Sequence, residues 1–293
     1  MAQELREAQN NVVIEGILSE NKLDYKKTTG GATPGKDYIS GDLLVEVTPN
    51  NIVPVNFFSF KFKKDGNPNR IYAALENVIK TYKSIAKHGR EGADKVKITG
   101  GRIEANEFYN ASGQLISTFR VRSNFVNRVT GDFNPDATFQ VETYLQGITE
   151  EVKDDTPTGR MLIKGVTPMY GGRISLLTFH VEDPKGMEYI KTNYQAGDTA
   201  KLAGDLNNEI IEINKTEEME FGDDVVTTYN RIKRELIITQ GTKPYESAKS
   251  LDPADIKKAM IQREVALKEQ LETAQAKATN MGTGGFANDD VPF

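Results

Sequence analysis

Along the first third of the chain, short apolar stretches alternate with polar ones, and one segment switches to helical spacing. Val12–Leu18 and Asp42–Val47 read as strands. Thr28–Lys36 contains Gly30, Gly31, Pro34 and Gly35 and is predicted to be the loop between them. Val53–Lys63 is a third predicted strand. Over Asn69–Lys87, the apolar Ile71, Leu75, Val78, Ile79, Tyr82 and Ile85 recur every three to four residues, which predicts an amphipathic helix with Tyr72 and Tyr82 in its core. Lys95–Glu104 and Leu115–Val129 are long strands joined through Tyr109-Asn110-Ala111-Ser112-Gly113, a hairpin signal.

Three strands, a helix and two strands is the order of the OB-fold, a five-stranded Greek-key barrel that often binds oligonucleotides. A shorter version follows: Arg160–Thr167, Ile174–Glu182, a helix around Gly186–Asn193, Lys201–Ile213 and Val225–Thr239. Two stretches echo between the halves. Val12–Ile17 resembles Met161–Val166, and Asp94–Gly101 loosely resembles Asp198–Asp205. Gly16 and Gly165, isolated in strands, mark bends of a tightly coiled barrel. Glu150–Gly159, rich in Asp, Pro and Gly, is the predicted linker. The expected organisation is therefore mainly β: a first OB-fold domain over 1–150, a second over 151–245, a helical extension over 246–277 and a disordered acidic tail over 278–293. Asp252 is the expected N-cap of the extension, with Pro253 at its first position. Ile256, Met260, Leu267, Leu271 and Ala274 form its apolar stripe, which either packs on a barrel or pairs with another chain.

Composition narrows the function. At 293 residues, 38% hydrophobic and 27% charged, the chain fits two globular domains, and no apolar run is long enough to span a bilayer. Met1–Asn10 is polar, unlike a signal peptide. Cys is absent, which rules out disulfides and thiolate zinc sites, and the two His, His88 and His180, are too few for a His-based metal centre. The absence of Cys is compatible with a reducing compartment, and the cytoplasm is the expected location. The net charge of −5 describes the whole chain, whereas nucleic-acid binding depends on a local basic face.

Such a face is predicted from strand alternation. In Val55–Lys63, Phe58, Phe60 and Phe62 share one side, and Phe57, Ser59, Lys61 and Lys63 the other. The side with three Phe is the expected barrel core, leaving Phe57 beside Lys61 and Lys63 outside. Arg120 and Arg122 alternate with Phe119, Val121, Ser123 and Phe125. Lys95 and Lys97 lie opposite Val96 and Ile98, and Arg102 follows. In the second half, Tyr229, Arg231 and Lys233 share a face against Ile232 and Leu236, with Arg160, Lys164 and Arg173 adding charge. Tyr109, in the hairpin, and Tyr170, in a Gly-rich turn, are candidates to clamp bases. A positive groove with aromatic faces under the bases is how single strands are held without sequence preference.

Enzymatic signatures are missing. Thr29–Lys36 has the composition of a phosphate-binding loop, but Lys36 is followed by Asp37, so the pattern G-x-x-x-x-G-K-[ST] is not met. No Ser-His-Asp spacing stands out, and the pair Asp223-Asp224 reads as a solvated turn. A non-catalytic protein without cofactor or metal is expected.

The sequence finishes Asp289-Asp290-Val291-Pro292-Phe293, and no Lys or Arg follows Lys277. The tip offers an aromatic ring, a carboxylate and two Asp on a chain that Pro292 keeps extended. It resembles the acidic tip of bacterial and phage single-stranded-DNA-binding proteins, which ends in an Asp run, an apolar residue, Pro and Phe. Lys97-Ile98-Thr99-Gly100-Gly101-Arg102-Ile103 also resembles that family's strand after the helix. The resemblance covers about 280 residues in element order. It departs in having no Trp, a shortened linker around Thr279–Asn288 and two Asp in place of a longer run. It implies a protein of the bacterial cytoplasm, with a phage-encoded origin as an alternative, that coats and protects single-stranded DNA in replication, recombination and repair, with Asp289, Asp290, Val291, Pro292 and Phe293 recruiting partner proteins. Two barrels per chain further imply a homodimer if four barrels assemble. A scaffold protein and an RNA-binding OB-fold are the alternatives.

Overall fold

Strand β1 (Asn10–Asn21) pairs with three other strands, two in its own barrel and one in the next. The computed structural model describes residues 5–30, 34–110, 113–217, 219–221 and 225–281. In the first barrel, β1 is followed by β2 (Asp24–Lys27), β3 (Asp37–Thr48), β4 (Asn51–Phe60), α1 (Arg70–Thr81), α2 (Ile85–Gly92), β5 (Lys95–Tyr109), β6 (Leu115–Arg122) and β7 (Val126–Arg128). Antiparallel ladders join β1 to β3, β3 to β4, β1 to β5 and β5 to β6. A parallel pairing, Val55 opposite Val121, closes the circuit between β4 and β6. This is the OB-fold barrel. Ile14, Leu43, Val55, Phe57, Ile98 and Ile103 fill it, and Leu75 and Val78 of α1 close one end.

The second barrel repeats the circuit with β8 (Asp136–Lys153), β9 (Thr156–Pro168), β10 (Ile174–Val181), α3 (Pro184–Asn193), β11 (Thr199–Glu217) and β12 (Val225–Gly241). Ladders β8–β9, β9–β10, β8–β11 and β11–β12 are antiparallel, and β10–β12 is the parallel closure at Phe179 opposite Leu236. The barrels are joined by backbone pairing. Asn10–Glu15 of β1 run antiparallel to Asp136–Val141 of β8, and Asn51 of β4 pairs with Glu209 of β11.

Three expectations change. Glu150–Gly159 is not a linker but the β8–β9 hairpin, turning through Asp154 (φ 49°) and Asp155 (φ 60°). Two consecutive left-handed residues are the geometry of a two-residue hairpin turn, which Asp tolerates, so an acidic linker and an acidic turn share a composition. The second barrel therefore opens with β8 at Asp136, within the span expected for the first domain. The long helix divides: α1 is capped by Asn69 and ends before the extended Tyr82 (φ −80°, ψ 138°), and α2 starts after Ser84. The first sequence echo also matches non-equivalent strands, since Gly16 lies in the first strand of its barrel and Gly165 in the second strand of its own. Each glycine permits a close approach: a Cβ on Gly16 would meet the Glu46 carbonyl oxygen at 2.4 Å, and one on Gly165 the Thr143 hydroxyl at 2.3 Å. The second echo holds, joining the equivalent strands β5 and β11.

Helix α4 (Pro253–Met281) begins as expected, with the Asp252 carboxylate accepting from the Ala254 amide at 2.7 Å. It packs on the outer surface of β9–β10, where Ile256, Met260 and Leu251 meet Val166, Ile174 and Leu176. Arg263 reaches back to the first barrel and pairs with Glu107 of β5. The side chain of Ala274 lies outside the described residues, as do all of Asp223, Asp224 and the terminal five residues. Among the described residues, no helix is long and apolar enough to cross a membrane.

Candidate functional site

The outer surface of β3–β4 carries an exposed aromatic cluster. The parity of β4 is set by Val53, Val55 and Phe57, all turned inward, with Phe57 fully buried. Phe58 and Phe60 therefore point outward, opposite to the expectation that they fill the core. A run of three Phe is misleading here: the β-branched residues earlier in the strand fix the face, and the pleat carries it forward. Phe58 (37% exposed) and Phe60 stand edge-to-face with ring centres 4.9 Å apart, and Tyr38 of β3 lies 5.4 Å from Phe58 and 5.9 Å from Phe60. Phe62, 54% exposed, continues past the strand end.

Cations border this cluster. Phe60, Phe62, Lys36, Lys63 and Lys64 line one depression, and Lys61 lies 5.9 Å above the Phe62 ring. Lys61 and Lys27 share Asp37 at 3.6 and 3.5 Å, while Lys36, Lys63 and Lys64 have no ion pair among the described residues. Along the same surface, Asn56, Arg122 and Arg102 stand in register across β4, β6 and β5. Arg120 and Arg122 converge on one carboxylate, Glu104, at 3.6 and 3.3 Å, leaving a net positive charge there. Arg102 faces Glu7 at 3.5 Å.

The remaining candidates are dispersed. Lys97 is bound to the buried Glu15 at 2.7 Å, and Lys95 covers the Phe133 ring at 4.7 Å; both lie where β5 meets β1 and β7. Tyr109 ends β5. Lys164 is exposed on β9, whereas Tyr170, 73% exposed, sits in the turn before β10, with its carbonyl facing the Arg173 guanidinium at 3.5 Å. Tyr229, Arg231 and Lys233 lie on the β11–β12 ribbon, which is exposed on both sides, since Ile232 is 52% exposed.

Arg160 belongs to a different structure. Its guanidinium contacts Glu151 at 2.8 Å, Glu182 at 2.9 Å and Glu235 at 2.9 Å, and it donates to Nδ1 of His180. Burial pushes the His180 pKa down against the opposing pull of Glu235, and because a guanidinium can only donate, Nδ1 is the acceptor in the Arg160 contact. Glu151, His180 and Glu235 place ligand atoms within 4.8 Å of one another, and Arg160 donates a hydrogen bond to each of the three. Among the described residues this cluster sets two cations, Arg160 and Lys233, the latter 2.8 Å from Glu235, against three carboxylates, Glu151, Glu182 and Glu235.

The two circuits define a protein with two OB-fold barrels and one open aromatic–basic surface. A family model named YorF matches residues 8–273, and the chain belongs to that family. No curated protein matches the chain. Among solved structures, it is similar to a deletion variant of the single-stranded DNA binding protein from Thermus aquaticus, at 13% identity and a TM-score of 0.46, over 84% of this chain and 98% of that one. It is also similar to a replication protein A heterotrimer bound to ssDNA, at 12% identity and a TM-score of 0.24, over 78% of this chain and 49% of that one.

Proposed function

We propose that this protein binds single-stranded DNA on the outer surface of β3–β4 and coats and protects it without catalysis. The Tyr38–Phe58–Phe60 cluster, bordered by Lys36, Lys63 and Lys64, which have no ion pair among the described residues, is the observation that carries this reading. Exposed aromatic rings stack on bases of any identity, at about 1–3 kcal/mol per base, and lysines displace counterions from the phosphates. Titration of the full chain with a labelled oligothymidine tests it. Binding at low salt that weakens as salt rises is expected; no binding at low salt overturns the reading in favour of a scaffold. The same titration with oligouridine separates DNA from RNA, since a barrel surface accepts both.

Within this proposal, the tip Asp289–Phe293 recruits replication and repair proteins in a bacterial cytoplasm. Its Phe and carboxylate suit an apolar pocket with a basic rim, and its acidic charge can also compete for the chain's own basic surface. Deleting Asp289–Phe293 leaves or strengthens oligonucleotide binding and removes partner binding in a pull-down. Retained partner binding rejects this role. A homodimer supplying four barrels belongs to the same proposal, and light scattering tests it.

A further inference from the structure

Between the barrels lies a cleft of about 610 Å³, within the range of roughly 300–1,000 Å³ seen for pockets that hold small organic ligands. Asn56, Asn106, Phe108 and Arg120 line it from the first barrel, and Asn208 and Arg234 from the second. The cleft is continuous with the β3–β4 surface, because the cross-strand neighbours Asp42 of β3 and Asn56 of β4 line it.

Its walls are fixed in place. The Asn51 side chain accepts from the Asn208 amide at 3.0 Å and donates to the Leu206 carbonyl at 3.3 Å, which stitches β4 to β11. Asn208 is buried, and its Oδ1 accepts from Nε of Arg234 at 2.7 Å, which aims the guanidinium. Arg234 has no ion pair among the described residues. The cleft's one lining carboxylate, Asp42, accepts from Asn56 at 2.8 Å. Phe108, 45% exposed, supplies an apolar wall. Meanwhile α4 covers the β9–β10 surface, the second barrel's counterpart of the β3–β4 surface.

We infer that the cleft is a second nucleotide subsite. A strand leaving the β3–β4 surface turns into it, placing a phosphate between Arg120 and Arg234 and a base against Phe108. The second barrel then contributes to binding through Arg234 and not through its own β9–β10 surface. This rests on the strand-binding reading above.

Oligothymidines of increasing length, titrated by anisotropy against the full-length wild type, Arg234→Gln, Arg234→Lys and Phe108→Ala, test the inference. Affinity of the wild type is expected to rise again once the strand exceeds the first-barrel site, which for one OB-fold is roughly 4–16 nucleotides. Arg234→Gln and Phe108→Ala weaken long oligomers about three- to ten-fold, with progressively smaller losses on shorter ones, while Arg234→Lys restores most of the affinity. Arg234→Gln also makes the log–log salt dependence shallower by about 0.7, the value for one phosphate contact on a single strand. Equal losses at all lengths, or none at any length, overturn the subsite and leave the β3–β4 reading standing. A wild type that binds no oligomer at low salt overturns both.

Discussion

The two barrels share one ladder circuit and differ in what their second and third strands show to the outside. In the first, that surface is open and carries Tyr38, Phe58 and Phe60 beside lysines. In the second, the equivalent β9–β10 surface carries Val166, Ile174 and Leu176 and is covered by α4. The inward residues are alike in both barrels, aliphatic with a central Phe: Phe57 in one, Phe179 in the other. The inner side of the pleat thus keeps the fold, and the outer side is free to diverge. An aromatic–cationic outer side suits a charged ligand, whereas an aliphatic one suits a helix, because apolar area is stabilised by exclusion of water.

The most severe way to break this comparison is to confuse the two sides of β4. Phe57→Ala empties the fully buried core position and should destabilise the protein by about 3–5 kcal/mol in denaturant unfolding. An unchanged unfolding midpoint would show that the strand is turned the other way. Next, Ile256→Ala, on the buried side of α4, should destabilise by about 2–5 kcal/mol while leaving oligonucleotide affinity intact. A gain of affinity in that variant would mean that the helix hides a competent binding surface. Phe58→Ala and Phe60→Ala should each weaken oligothymidine binding by about 1–3 kcal/mol, with less loss of stability than Phe57→Ala; equal affinity for wild type and both variants would remove the open surface from the binding site.

The smallest expected effect concerns pH. Burial holds the pKa of His180 below its ordinary 6.5, so the unfolded chain takes up this proton first. Stability from this site is full above that value and declines as pH falls through 6.5 towards the folded-state pKa. The surrounding Arg160, Lys233, Glu151 and Glu235 set its size. Thermal melts between pH 5 and 8 should show the decline, and His180→Gln should flatten it; an identical slope in the variant would place the dependence elsewhere.

Much of the barrel was legible in order: the strands around β1, β3 and β5, the helix start at Asn69, and the Asp252 cap of α4. What stayed hidden is instructive. Strand β8 has a plain alternation, with Ala137, Phe139 and Val141 inward, yet its acidic end resembled a linker. Arg160 resembled a surface cation until the fold brought Glu151, Glu182 and Glu235 around it from three other strand segments. Arg234 carried no signal of its own, because a cleft between barrels has no pattern in one strand.

By itself, the sequence determined most element types and, in the first barrel, the order of strands around the helix, since period and caps are local properties of the backbone. Only the tertiary structure decided which side of β4 faces water, which cations remain without carboxylate partners, and which barrel surface stays open. Those outcomes depend on partners far apart in the chain, and the sheet brings them together by register, one residue at a time.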